Sequence, residues 1–213
     1  MKKISITGYS GFIGQNIIKS KLFNKYNFEK VNLRINQKLN NNSYCLIHLA
    51  GIAHDISNKY SHEDYININY NLTKKVFNQF LASNANVFIF LSSSKAVKDN
   101  YNSIITESTN PNPKTPYGIS KLKAENYILN KFKKYKNKRI FILRPSMIHG
   151  EGNKGNLNLL FNFIKKGLPW PLGSFKNKRS YLSIENLNFI INELIINNKI
   201  SSGVYNVSDN GTI

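Results

Sequence analysis

Residues 2–14 read KKISITGYSGFIG, and this stretch decides the fold. Ile4 and Ile6 alternate with polar residues, which is typical of a short strand. A helix is predicted to follow, because three apolar side chains recur at helical spacing: Ile13, Ile17 and Ile18. Three glycines with the spacing G-x-x-G-x-x-G form the turn between them: Gly8, Gly11 and Gly14. Such a turn lets the backbone approach a pyrophosphate at the positive N-terminus of a helix, so the stretch predicts a dinucleotide-binding turn.

Beyond this stretch, short apolar runs alternate with longer helical patterns. The predicted strands cover residues 4–6, 31–34, 44–49, 87–91, 139–143 and 203–208. The predicted helices cover residues 13–22, 65–81 and 118–134. The run at 87–91 is apolar throughout, as expected of a strand that is buried on both faces. This alternation predicts an α/β fold with a Rossmann-type, doubly wound parallel sheet.

The pattern changes after Pro145, where glycines and prolines separate shorter segments. We therefore expect a dinucleotide-binding Rossmann domain at 1–150 and a second, smaller region at 151–213. The strand predicted at 203–208 is followed by only five residues. A domain that ended there would lack the element that covers this strand, so we expect the second region to be incomplete.

The formal charge of this 213-residue chain is +19, and we attribute it mainly to a general compositional bias toward Lys, Asn and Ile. Of the 30 basic residues 26 are Lys, and Lys, Asn and Ile together make up 87 residues. A nucleic-acid footprint clusters on one face and uses more Arg, so we expect no nucleic-acid partner.

The sequence also argues against a membrane, a disulfide and a metal site. No apolar run approaches the roughly 18 to 20 residues of a membrane helix, and the start lacks a signal-peptide pattern, so we expect no membrane association. Cys45 is the single cysteine and cannot form an internal disulfide, which fits the cytoplasm. The four histidines lack metal-ligand spacing, and we expect no metal site.

Tyr117 and Lys121 lie four residues apart in a predicted helix and therefore share one face. A nearby ammonium favours the phenolate, so Lys121 is expected to lower the pKa of Tyr117 and make it a general base. Ser92, Ser93 and Ser94 follow an apolar strand, and polar residues at the carboxyl end of a parallel strand face the ligand crevice. Counting along the strand favours Ser93 over Ser94. An ordinary Tyr–Lys pair and a simple loop start are the alternative interpretations.

In this order, the glycine turn, the serines and the Tyr-x-x-x-Lys pair resemble the extended short-chain dehydrogenase/reductases. The resemblance is to their NAD-dependent epimerase/dehydratase family, which acts on nucleotide sugars, and it runs through nearly the whole chain. Other segments that resemble this family are residues 48–51, residues 69–73 with Leu72 in place of a glycine, the Pro-rich approach from Glu107 to Pro113, residues 143–150, and residues 179–187 with Glu185 in place of Asp.

The resemblance implies a role for each candidate residue. The catalytic residues it implies are Ser93, Tyr117 and Lys121. The cofactor contacts it implies are Gly8, Tyr9, Gly11, Phe12, Ile13, Gly14, Arg34, Leu49, Ala50, Gly51, Asn69, Tyr117 and Lys121. The substrate contacts it implies are Ser93, Ser94, Tyr117, Asn156 and Arg179, and Arg179 would meet the diphosphate of the nucleotide sugar.

Two departures from the family pattern bear on function. The residue after the second strand is acidic in family members that prefer NAD, whereas residues 31–36 carry no acid and include Arg34, so the cofactor is NAD or NADP. The family's 4,6-dehydratases have Thr-Asp-Glu at the end of the fourth strand, whereas this chain has Ser-Ser-Ser-Lys. It lacks that acid and base for elimination, which leaves redox chemistry at one carbon.

The resemblance therefore implies a nucleotide-sugar 4-epimerase, with a UDP-sugar as the favoured substrate and surface polysaccharide precursors as the product class. The alternative is an NADPH-dependent 4-keto-sugar reductase. A third interpretation is a dinucleotide-binding protein without catalysis, which the complete Ser, Tyr and Lys set disfavours. A homodimer is considered as its assembly.

Overall fold

The computed structural model describes residues 1–35, 38–53, 59–100, 104–135, 137–153, 165 and 179–210. The strands are β1 (Lys2–Thr7), β2 (Tyr26–Val31), β3 (Cys45–His48), β4 (Val87–Leu91), β5 (Arg139–Pro145), β6 (Met147–His149), β7 (Tyr181–Ser183) and β8 (Gly203–Val207). The helices are α1 (Phe12–Lys19), α2 (His62–Tyr65), α3 (Leu72–Ala82), α4 (Pro116–Phe132) and α5 (Ile184–Ile196). A π-helical segment, Ile66–Asn71, joins α2 to α3.

Six parallel strands form the main sheet in the order β2-β1-β3-β4-β5-β8. The chain runs outward from β1 to β2 and then returns across β1 to β3, so the strand order reverses between β1 and β3. Ligands of open α/β sheets bind outside the carboxyl ends of the strands at such a point. The predicted α/β fold with a Rossmann-type parallel sheet is confirmed.

Helices cover both faces of this sheet. On one face α1 and α5 pack against strand residues that include Ile4, Ile6, Ile47, Ile89 and Leu143. On the other face α3 and α4 pack against Leu46, Phe88, Phe90, Ile140 and Ile142. Successive strand residues point to opposite faces, and therefore every residue of β4 has to be apolar.

The prediction of a strand at 31–34 is wrong. The second strand is Tyr26–Val31, and Leu33–Ile35 forms a 3₁₀ turn. β2 lies at the edge of the sheet, so its sequence YNFEKV mixes apolar and polar residues instead of forming the apolar run that marks a central strand.

The segment after Pro145 contributes to two sheets. β6 and β7 form a small parallel sheet of their own, which the sequence did not predict because each strand has only three residues. β8 pairs with β5 and becomes the sixth strand of the main sheet. The last strand of the described residues therefore belongs to the sheet whose carboxyl ends carry the candidate site.

Candidate active site

The glycine turn after β1 is shaped by backbone contacts that a side chain would block. Gly8 has φ +68°, and a Cβ added there would lie 2.7 Å from the Ala50 amide nitrogen. A Cβ at Gly14 would lie 2.5 Å from the Gly8 carbonyl oxygen. Gly11 is the N-cap of α1, and no side chain caps this helix end. The first-turn N–H groups of α1 can therefore face a phosphate, which fits the pyrophosphate of a dinucleotide.

The other candidate residues of this segment lie beside the glycine turn. Tyr9, Phe12 and Ile13 are partly buried and pack against the core of the α1 face. Leu49 and Ala50 follow β3, and their N–H groups each donate to the Thr7 hydroxyl oxygen at 3.2 Å. The structure thus brings the ends of β1 and β3 together at the point where the strand order reverses.

A buried histidine connects the end of β1 to α3. Thr73 donates its hydroxyl to the Asn69 carbonyl oxygen (2.7 Å), so its oxygen accepts the Nε2–H of His48 (2.9 Å). The Nδ1 of His48 then accepts the Thr7 hydroxyl at 2.7 Å. Burial lowers the pKa of His48 to about 3, and the charge of Lys121 acts in the same direction. His48 is therefore neutral and serves as a structural link.

Asn69 lies in the π-helical segment and is fully buried. Its carboxamide accepts the Ile52 N–H (2.8 Å) and donates both to the Ile52 carbonyl (3.0 Å) and to the Ser120 hydroxyl (3.1 Å). Asn69 thus ties the segment after β3 to α4. Its side chain positions the walls of the crevice.

The three predicted catalytic residues meet at the carboxyl end of β4. The Ser93 hydroxyl hydrogen-bonds the Tyr117 phenol. Lys121 follows Tyr117 by one turn of α4, and its ammonium donates to the Leu91 carbonyl oxygen at 2.9 Å. Ser94 instead starts the short 3₁₀ turn Ser94–Ala96 and is partly buried. Ser93, rather than Ser94, is therefore the serine that contacts the Tyr117 phenol.

The start of α4 is fixed by its sequence. Thr115 is the N-cap and accepts the Gly118 N–H (3.2 Å), while Pro116 occupies the first turn. Gly118 is required because a Cβ there would collide with the Lys95 carbonyl oxygen. The helix thus begins one residue before Tyr117, in close contact with the turn that follows Ser93.

Burial governs the acid–base properties of the pair. Burial raises the pKa of Tyr117, the Ser93 hydrogen bond opposes this change, and Tyr65 adds to it. The net direction is opposite to that expected from Lys121 alone, because burial dominates. Burial also lowers the pKa of Lys121 to about 8, against the opposing effect of Glu125.

Of the remaining candidate residues, Gly51 borders this cluster, Arg34 and Arg179 are exposed, and Asn156 lies outside the described residues. Arg34 is exposed after β2, and its N–H donates to the Asn32 side chain at 3.1 Å. Gly51 is exposed, and a Cβ there would lie 3.5 Å from Lys121 Nζ. Arg179 is exposed two residues before β7. Asn156 lies outside the described residues.

Sequence reasoning missed two acidic residues beside the site. Glu125 lies one turn after Lys121 and binds Arg144 and Ser92. Asp99 accepts hydrogen bonds from Lys114 and Thr115 at the start of α4. The i+4 spacing from Lys121 to Glu125, on a face that otherwise packs inward, is the signal that could have revealed the first.

Within the described ranges, no cluster of three His, Cys, Asp or Glu residues is arranged to hold a metal ion. Of the helices in the same ranges, none has the length and apolar character that crossing a membrane requires.

Comparisons with known proteins agree with this architecture. Residues 4–208 match the NAD dependent epimerase/dehydratase family. A UDP-glucose 4-epimerase from Vibrio cholerae is 30% identical over 233 positions, covering 98% of this chain and 71% of the relative. The solved UDP-N-acetylglucosamine 4-epimerase from Bacillus cereus is similar, with a TM-score of 0.81, 21% identity, and coverage of 100% of this chain and 80% of that one. The solved structure of RMD from Pseudomonas aeruginosa, complexed with NADPH, is also similar. Its TM-score is 0.76 and its identity 20%, and the match covers 100% of this chain and 80% of that one.

Proposed function

Because the chain belongs to the NAD dependent epimerase/dehydratase family, we propose that it is an NAD(P)-dependent nucleotide-sugar 4-epimerase. The proposed substrate is a UDP-hexose or a UDP-N-acetylhexosamine that serves as a precursor of surface polysaccharides. The observation that carries the proposal is the hydrogen bond between the Ser93 hydroxyl and the Tyr117 phenol, with Lys121 one turn further along α4. The UDP-glucose 4-epimerase from Vibrio cholerae supports the choice of a UDP-sugar.

In the proposed reaction Tyr117 takes the proton of the C4 hydroxyl and returns it at the end of the cycle. A nicotinamide dinucleotide held by the glycine turn and Lys121 would supply hydride acceptance and return at C4 of the sugar. Ser93 hydrogen-bonds the C4 oxygen while that oxygen is a carbonyl. Lys121 holds the ribose hydroxyls, and its charge favours the phenolate of Tyr117. The sugar turns over between the two transfers, so the reaction has no net redox change.

The residues at the end of β4 support redox chemistry at a single carbon. This segment offers Ser92, Ser93, Ser94 and Lys95 and no carboxylate. The buried carboxylate of α4, Glu125, is occupied by Arg144 and Ser92. The segment therefore supplies no acid–base pair for the elimination that a 4,6-dehydratase performs.

The experiment incubates the purified protein and a dinucleotide with UDP-hexoses and UDP-N-acetylhexosamines, without an added reductant. We expect the 4-epimer to form, and Tyr117→Phe to lower kcat by roughly 10² to 10⁴. Tyr127→Phe is the matched control, because Tyr127 is on the same helix but its hydroxyl donates to Asn78 (2.8 Å). Wild-type turnover by Tyr117→Phe would refute the proposed mechanism.

A second candidate is the NADPH-dependent reduction of a 4-keto nucleotide sugar. The specific observation that favours it is the exposed Arg34 after β2, in a described segment without an acid. NADPH consumption that requires a 4-keto sugar, without epimer formation from a UDP-sugar, would select the reductase.

A further inference from the structure

A buried carboxylate lies on the same face of α4 as the proposed catalytic residues. Tyr117, Lys121 and Glu125 are spaced by four residues each, so they follow one another along that face. Glu125 has no exposed surface. A buried charge persists in a folded protein only where partners compensate it.

The partners of Glu125 are themselves buried. Arg144 of β5 donates from Nε to both carboxylate oxygens at 3.1 Å and from Nη2 to Oε2 at 2.6 Å. Ser92 donates its hydroxyl to Oε1. Arg144 is 5% exposed and Ser92 is 3% exposed. The carboxylate is therefore held from two directions in an environment that excludes water.

These contacts join three elements at the site. Glu125 belongs to α4, Arg144 belongs to β5, and Ser92 follows directly after β4. The Ser92 N–H also donates to the Leu143 carbonyl of β5 at 2.8 Å. The next residue, Ser93, hydrogen-bonds Tyr117. The carboxylate thus lies at the junction between the serine and the helix that carries the Tyr and the Lys.

We propose that Glu125 is a positioning residue, whose carboxylate, held between Arg144 and Ser92, fixes α4 against the end of β4 and so sets Tyr117 and Lys121 relative to Ser93. Only the kinetic part of the test rests on the proposed function.

Glu125 also compensates the charge of Lys121. Two other titratable groups of the described chain lie near Lys121: His48 of β3, which is neutral, and Tyr117, one turn earlier on α4. The charge of Arg144 is paired with Glu125. Burial lowers the pKa of Lys121 to about 8, and the Glu125 carboxylate raises it against this effect. Removing the carboxylate charge should therefore lower the pKa of Lys121 further.

The first test follows Lys121 directly and needs no substrate. The protein is labelled with [¹³Cε]lysine, Lys121→Met identifies the Lys121 signal, and the signal is titrated in wild type and in Glu125→Gln. The midpoint should fall by roughly one pH unit in Glu125→Gln. Lys138 is an internal control, because it is a buried lysine that binds the Ser83 and Ala85 carbonyls, and its midpoint should stay unchanged. An unchanged Lys121 midpoint would overturn the proposal.

The second test measures kcat, KM and dinucleotide affinity. Displacement of reacting groups by about 1 Å costs roughly 100-fold in rate, so kcat of Glu125→Gln should fall by about that factor with KM within a few-fold. Glu125→Asp should recover part of the loss. Glu29→Gln is the control, since Glu29 lies on β2 and accepts the hydroxyl of Ser5 on β1 (2.6 Å). The kcat of this variant should equal that of wild type. Wild-type kcat in Glu125→Gln would also overturn the proposal.

A double variant keeps the test decisive if Glu125→Gln does not fold. Glu125→Leu/Arg144→Met removes both buried charges together, which is commonly neutral for stability. This variant should fold and bind dinucleotide but lose roughly 100-fold in kcat, and full kcat would refute the positioning role. If wild type itself shows no epimerisation, the proposed function fails, while the Lys121 titration still decides this proposal.

Discussion

His48 illustrates how one residue can hold two parts of the site together. Its ring lies between the hydroxyls of Thr7 and Thr73, and it is fully buried. Through Thr7 it supports the N–H groups that follow β3, and through Thr73 it reaches the π-helical segment. The bond in which Nδ1 accepts the Thr7 hydroxyl requires the neutral ring, because a protonated Nδ1 can only donate.

The pH dependence of stability should therefore carry the signature of His48. The folded-state pKa is about 3 against 6.5 in an open chain, so the unfolded state binds the extra proton between these values. Stability falls as the pH falls through this window, by about 1.4 kcal/mol per pH unit. Urea unfolding of wild type and His48→Gln between pH 7 and pH 4 measures the difference. His48→Gln should lose this part of the slope, whereas the half-exposed His149→Gln should keep it. Equal slopes in wild type and His48→Gln would contradict the prediction.

Arg34 provides a test of cofactor choice. Its side chain is exposed beyond the end of β2, where a guanidinium can meet a 2′-phosphate. Arg34→Ala should weaken NADP⁺ binding by roughly tenfold and leave NAD⁺ binding unchanged, as measured by calorimetry. The exposed Lys98→Ala is the control for a general loss of positive charge. Equal losses for both dinucleotides would show that Arg34 does not read the 2′-phosphate.

At the scale of elements, the start of α4 depends on an aspartate that precedes it by many residues. Asp99 accepts the N–H groups of Lys114 (2.6 Å) and Thr115 (3.1 Å) and the Thr115 hydroxyl (2.5 Å). Burial acts to raise the pKa of Asp99, but the hydrogen bonds from Thr115 and Lys114 outweigh it and lower the pKa. Thr115 in turn caps the helix that begins next to Tyr117.

Removing the Asp99 carboxylate should loosen this helix start. Asp99→Ala should lower the free energy of unfolding by about 1 to 2 kcal/mol, since it removes support from an N-cap. Hydrogen exchange at the Lys114, Thr115 and Gly118 amides should become faster than in wild type. Asn100→Ala alters the exposed neighbouring residue and should change neither quantity. Unaltered protection of these amides in Asp99→Ala would contradict the prediction.

The helix that precedes β4 shows the limit of periodicity. The sequence pattern predicts one helix at 65–81, and the structure has helical residues from His62 to Ala82 with a π-helical segment at Ile66–Asn71. The start at His62 follows from a capping box between Ser61 and Asp64. The π-helical turn accompanies the buried hydrogen bonds of Asn69 to Ile52 and Ser120. Those partners are distant in sequence, so no local pattern could reveal the turn.

At the scale of the whole molecule, positive charge is the dominant feature. The chain has 30 basic and 11 acidic residues. In the described part of the chain, Glu125–Arg144 is an ion pair, and His149 Nε2 lies 3.8 Å from Asp209 Oδ2. An excess charge of this size repels itself in the compact state.

Salt should therefore stabilise the protein. We expect the melting temperature to rise between about 10 mM and 150 mM NaCl, because the Debye length falls from about 30 Å to 8 Å over this range. The same series near the isoelectric point of about 9.9 is the control, since the gain should shrink there. A melting temperature that falls or stays constant with salt at pH 7 would contradict self-repulsion.

The sequence by itself determined the type of fold, and it predicted the candidate residues of the glycine turn and of the Ser93, Tyr117 and Lys121 cluster. Alternating strands and helices, the glycine spacing and the Tyr-x-x-x-Lys pair are local patterns, and local patterns follow from backbone geometry and neighbouring side chains. β4, β3 and α4 accordingly lie within a few residues of their predicted positions. The edge strand β2 and the short strands β6 and β7 were misplaced or missed, because their pairing depends on distant strands.

Only the tertiary structure decided how the site is held together and how its groups are charged. It placed Ser93 on Tyr117, set the direction of the pKa of Tyr117 through burial, and joined Glu125 to Arg144 and Ser92, 19 and 33 residues away. These features depend on desolvation and on partners that come close only when the sheet and its helices have packed. The local sequence around a buried charge or hydroxyl does not identify its distant partner. This is why motifs could predict the candidate site residues but not their hydrogen-bond partners or the direction of their pKa shifts.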